Sequence, residues 1–266
     1  MRSPGSTFDL RAALSDEVRG ALAALEDGGG EKAIHACRVR LKRARSLARV
    51  GHAFAPGLSA VFNDSTRAIM HSLADTRNLA ALAKTSRILA KRSKRRAAAG
   101  LKAANQALEA AREAAAPLDL EAVNAGLRDL LALAQVWPEA SPRQVRRGAR
   151  RLVRRARKTW RQGSKKDAPE KQRHLWRQRE SDRLHAAALL DDAWPRRRRR
   201  RQSERLVSFL GREHDVMLLT QRLKANPAIA GDVAGASAAL KVLRKRQRRL
   251  AKRARRTAAR LHEGRA

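Results

Sequence analysis

The chain has 266 residues, with 61 Lys+Arg against 25 Asp+Glu and a formal net charge of +36. A body this cationic repels itself at neutral pH, so a polyanionic partner is the natural inference. A single cysteine excludes an intramolecular disulfide framework, and no run approaches the ~18 apolar residues of a membrane span.

Almost every segment reads as helix, which makes the expected class all-α. "TFDLRAALSDEVRGALAAL" is amphipathic and stops at "EDGGG". A basic helix follows, to about "GHAFAPG", and residues 59–100 supply one or two more. "LKAANQALEAAREAAAP" is another, and "LDLEAVNAGLRDLLALAQVWPEASP" a helix ended by its prolines. From Pro142 the cations thicken: residues 1–140 carry 22 Lys+Arg and 14 Asp+Glu, residues 141–266 carry 39 and 11. "RQVRRGARRLVRRARKTWRQG" keeps Val145, Ala149, Leu152, Val153, Ala156 and Trp160 at helical spacing and fills the rest with arginine. After the loop "SKKDAP" comes a helix over "EKQRHLWRQRESDRLHAAALLDDAW", and Pro195 suits the first turn of the next. The Arg196 to Arg201 run would then point in every direction around a helix, some arginines inward and others solvated. The last helix carries a narrow seam of Leu240, Leu243, Leu250, Ala254 and Leu261. "MRSPGSTFDLRAAL" lacks the apolar core of a signal peptide, so a cytoplasmic location is expected.

The helix "IHACRVRLKRARSLARV" gathers its charge. At ~100° per residue, His35, Arg38, Lys42, Arg45 and Arg49 share an arc of roughly 80°. Ile34, Cys37, Leu41, Ala44 and Ala48 form the adjoining core stripe, with Cys37 read as a small buried hydrophobe. The cations therefore flank the buried face instead of pointing away from it.

The chain also repeats itself. "EKAIHACR" at 31–38 is echoed by "EKQRHLWR" at 170–177, and "LADTRNLAAL" at 73–82 by "LGREHDVMLL" at 210–219, offsets of 139 and 137 residues. Two helical repeats, 8–136 and 142–262, explain both offsets.

These residues resemble the CHAD family, whose pattern is a helix opening His-x-x-Arg with basic residues seven, eight and ten positions after the histidine. His35, Arg38, Lys42, Arg43 and Arg45 match all of it. The family's Leu-Gly-x-x-Arg-Asp stretch is similar to "LADTRN", giving Arg77 with Asn78, and to "LGREHD", giving His214 with Asp215. The second repeat departs: Ser181, Asp182 and Leu184 stand where the basic residues would, leaving His174 and Arg177. The resemblance implies two antiparallel four-helix bundles related by a pseudo-two-fold axis, with a basic central groove or pore. It further implies binding of inorganic polyphosphate, often at polyphosphate granules, without catalytic machinery, cofactor or metal.

The chemistry agrees with that expectation. Polyphosphate offers closely spaced charge and no bases, so it needs a track of arginine forks and lysine point charges. The expected contacts are His35, Arg38, Lys42, Arg43, Arg45, Arg49, Arg67, Arg77, His174, Arg177 and His214. For His35 and His174 the rival role is a histidine bordering the core; for His214 it is pairing with Asp215. His52, His71, His185 and His262 match no motif and are assigned ordinary surface or core roles. The rival function is non-specific binding of nucleic-acid backbones, which the same arginines would serve. Few aromatics and no tyrosine argue against single strands, leaving a duplex held by its phosphates. Catalysis is disfavoured, because there is no phosphate-binding glycine loop and the adjacent Asp191 and Asp192 point ~100° apart on a helix. Membrane-surface binding would need larger apolar faces. Oligomeric state is not legible.

Overall fold

Helix starts are written in the sequence. In this computed structural model, which describes residues 8–26, 28–195 and 199–263 apart from the side chains of 75–77, the described residues form ten α-helices, two short 3-10 turns and no strand. They are α1 (Leu10–Ala23), α2 (Glu31–Gly51), α3 (Pro56–Ser72), α4 (Ala74–Ala90), α5 (Arg95–Glu113), α6 (Leu120–Gln135), α7 (Pro142–Gly163), α8 (Glu170–Leu190), α9 (Arg200–Ala225) and α10 (Val233–His262). Asp9 caps α1 by accepting from the Ala12 amide at 2.9 Å, and Asp119 caps α6 in the same way from Ala122. Ser141 and Gln144 form a reciprocal capping box ahead of α7, with Pro142 in its first turn.

The helices pack as two units. Among the described residues, one spans 8–73 and Leu118–Glu204; the other comprises Ala74–Pro117 and residues 205–263. Each draws on both halves of the sequence, so the packed units divide the chain differently from the repeats 8–136 and 142–262.

In the first unit α2 is the hub, packed against α1, α3, α7 and α8. Its stripe of Ile34, Cys37, Leu41, Ala44 and Ala48 is buried, as the periodicity requires. Phe62 and Trp137 meet edge to face with centroids 5.8 Å apart. Gly148 lets α7 lie against α2: a Cβ there would stand 2.1 Å from the Val50 carbonyl oxygen. On α8, buried Glu180 accepts from Arg183 at 2.8 Å and from the Trp176 indole at 3.3 Å, and Arg183 also donates to Ser203. This ties the end of the basic tract to α8.

The second unit buries Leu101, Leu108, Leu219, Leu223 and Leu243 between α4, α5, α9 and α10. Gly100 is its close-approach glycine, since a Cβ there would lie 2.6 Å from the Gly235 carbonyl oxygen. The α10 seam holds at Leu243, Leu250 and Ala254, which are buried, while Leu240 and Leu261 are half-buried.

One expectation is corrected. The next helix does not begin at Pro195: that residue stands in a bend, Arg199 has φ 42°, in the left-handed region, and α9 begins only at Arg200. A residue in that region breaks the right-handed path. Arg196, Arg197 and Arg198 lie outside the described residues. Among the described residues, no helix is long and apolar enough to cross a membrane.

Candidate functional site

The α2 ladder runs beside its buried stripe, so its cations emerge where neighbouring helices already stand. Arg38 and Arg45 are half-buried and both reach Met70 near the end of α3. The Arg38 Nη1 donates to the Met70 carbonyl, and the Arg45 Nη1 lies 3.7 Å from the Met70 sulfur. One turn on, Arg49 is ion-paired to Asp182 of α8, whose other carboxylate oxygen accepts from Arg179 at 3.3 Å. Asp182 is 6% exposed. From α7, the Arg151 guanidinium faces the His52 ring, with its Nη1 2.6 Å from Nδ1 and its Nη2 3.3 Å from Nε2.

These cations share one electrostatic field. Burial pushes the Arg45 guanidinium down to about 10, helped by Arg49, Arg67 and Arg179 and opposed by Asp182. Burial also lowers Arg49, again with Arg179 and Arg67 acting against Asp182. Arg155 of α7 is lowered by burial, then by Arg179, Arg151 and Arg49. Cations from α2, α3, α7 and α8 therefore press on one another, with Asp182 as the opposing carboxylate. The Arg45 Nε is buried and has no hydrogen-bond partner. A desolvated donor in such a field is satisfied by an anion with several acceptor oxygens.

His185, just beyond Asp182 on α8, is pushed down to about 4 by burial and then by Lys42, with Asp182 opposing and Arg43 adding to the effect. His174 is lowered by burial and Arg177 against Glu170, and its Nε2 lies 2.7 Å from the Gln178 amide nitrogen. A neutral imidazole offers a phosphate an N–H, not a full charge. Among the described residues, no cluster of His, Cys, Asp and Glu is arranged to hold a metal ion.

The family model of the CHAD domain matches residues 11–224. The chain belongs to the CHAD family. Its fold is similar to that in the crystal structure of the CHAD domain from the plant Ricinus communis, with a TM-score of 0.66 over 98% of this chain and 95% of that one, at 18% identity. No curated protein matches the chain.

In this CHAD domain the expected residues part company. Arg38, Lys42, Arg45 and Arg49 stay together along α2, and Arg67 of α3 contributes to their field while pairing with Asp64 at 3.1 Å. His35 stands exposed on the first turns of α2. Arg43, which matches the CHAD pattern, turns to the α1 side, where it pairs with the buried Glu17 at 2.8 Å beside Arg40. The physical reason is its angle: it lies off the ladder's arc. His174 and Arg177 sit on α8, His174 eight residues or ~12 Å of helix before Asp182. His214 belongs to the second unit, and the side chain of Arg77 lies outside the described residues.

Sequence reading missed Arg151, Arg155, Arg179 and the role of Asp182. The signal existed for two of them, because Arg151 and Arg155 flank the Leu152–Ala156 core stripe of α7 as the ladder flanks that of α2. Asp182, read as a missing cation of the second repeat, is the carboxylate that pairs with Arg49 of the first.

Proposed function

We propose that this CHAD domain binds inorganic polyphosphate along the α2 ladder and the arginines around Asp182, as a binding protein and not an enzyme. The CHAD family is associated with polyphosphate binding in general. The observation that carries the reading for this chain is the buried Arg45 Nε lacking a partner amid cations from four helices. Counterion release would drive association, so affinity should fall steeply with salt. The two-bundle, pseudo-two-fold arrangement with a basic groove, and targeting to polyphosphate granules, belong to the same proposal.

A second reading, binding of duplex nucleic acid by its phosphates, is favoured by α7, whose Arg143, Arg147, Arg150, Arg154 and Arg157 are exposed along one side. The deciding experiment displaces labelled long-chain polyphosphate with unlabelled polyphosphate or duplex DNA at equal phosphate concentration and physiological salt. Much stronger displacement by polyphosphate supports the first reading, and equal displacement the second.

A further inference from the structure

The second unit holds a cavity of about 410 Å³ between α4, α9 and α10, built from residues that play no part in the α2 ladder. Three kinds of surface line it. Lys84, Arg92, Arg212 and Arg246 supply cations. Ile88 supplies an apolar wall, left 41% exposed although it is large and aliphatic, and the buried Leu89 and Val216 stand behind it. Asp215 adds a carboxylate. The cations act on one another: Arg246 is lowered by burial and then by Arg212, Arg253 and Arg92.

A linear inorganic polyanion uses only the first of these surfaces. It gains nothing from an apolar wall. The size lies within the roughly 300–1,000 Å³ of small-molecule sites, where an apolar lining with a few placed polar groups is the rule. A ligand that uses all three surfaces has a multiply charged phosphate tail, hydroxyl donors and a flat apolar body. We infer that this cavity is a nucleoside polyphosphate site, with the phosphates on Arg92, Arg212 and Arg246, ribose hydroxyls donating to Asp215, and the base against Ile88.

The inference does not rest on the α2 ladder, and its test separates the two. ATP and inorganic tripolyphosphate are titrated calorimetrically into the full chain at physiological salt. The variants are Arg246→Gln, Arg246→Lys, Ile88→Ser and the ladder triple Arg38→Gln, Lys42→Gln, Arg45→Gln, each with its thermal midpoint checked. The expected result is ATP binding weakened about tenfold by Arg246→Gln, less by Arg246→Lys, and severalfold by Ile88→Ser, but kept in the ladder triple. Tripolyphosphate should ignore Ile88→Ser. ATP binding no tighter than that of tripolyphosphate in the ladder triple, or indifferent to both Arg246→Gln and Ile88→Ser, would overturn the assignment.

Discussion

Asp182→Asn tests the electrostatic core of the site, because it removes one charge and almost no volume. In the native chain the Asp182 carboxylate pairs with Arg49 and Arg179, and the Arg49 and Asp182 side chains are only 14% and 8% exposed. Breaking a pair buried to this degree costs about 3–5 kcal/mol, most of it the penalty of stranding the remaining charge. Arg179 is also well covered, so two guanidiniums lose their counter-charge together. For a chain of this size about 3 kcal/mol lowers the thermal midpoint by roughly 6–12 °C. The same substitution frees those guanidiniums for an external anion. Polyphosphate should bind Asp182→Asn more tightly than wild type, and the dependence of log K on log salt should steepen by about 0.7 for each added phosphate contact. Ligand at a hundredfold excess over its Kd should then restore about 2.7 kcal/mol of the lost stability. The assays are differential scanning fluorimetry with and without long-chain polyphosphate, and a salt series of binding titrations. An Asp182→Asn protein as stable as wild type that binds polyphosphate more weakly would refute the reasoning, since Asp182 would then neither balance the arginines nor compete with the ligand.

Three further outcomes are expected. The ladder triple Arg38→Gln, Lys42→Gln, Arg45→Gln should weaken polyphosphate binding by well over tenfold and flatten the salt slope, with the circular dichroism spectrum unchanged; unchanged affinity would move the site elsewhere. Gly148→Ala should destabilise by about 1–3 kcal/mol in chemical denaturation, because its Cβ would meet the Val50 carbonyl oxygen at 2.1 Å and force α7 off α2. Gly211→Ala, with nothing within 4 Å of its Cβ, is the control and should gain up to about 1 kcal/mol. The last outcome concerns His185, whose folded value of about 4 lies below its ordinary 6.5. The unfolded chain then takes up the proton first, so stability is lost as pH falls from about 6.5 towards 4, by up to ~3 kcal/mol. His185→Gln should flatten the denaturation midpoint across that window, and an unchanged acid limb would assign it to other groups.

The sequence by itself determined the all-helical class and the buried face of α2. Ile34, Cys37, Leu41, Ala44 and Ala48 are buried where the 3.6-residue period puts them, and Asp9, Asp119 and Ser141 cap the helices they precede. It also carried the family, through His35, Arg38, Lys42, Arg43 and Arg45 and the echo 139 residues on. Only the tertiary structure decided which charges act together. Periodicity assigns Arg43 an angle on its own helix, but Glu17 of α1 is what claims it. The CHAD pattern makes Asp182 a lost cation, yet the approach of α8 to α2 makes it the partner of Arg49. Arg151 and Arg155 lie more than a hundred residues from the ladder along the chain and join its field through α7. The physical reason is that a helix face follows from local spacing, whereas electrostatic energy depends on distance through space and on water excluded between groups. Both are set by packing contacts such as that of Gly148 on Val50.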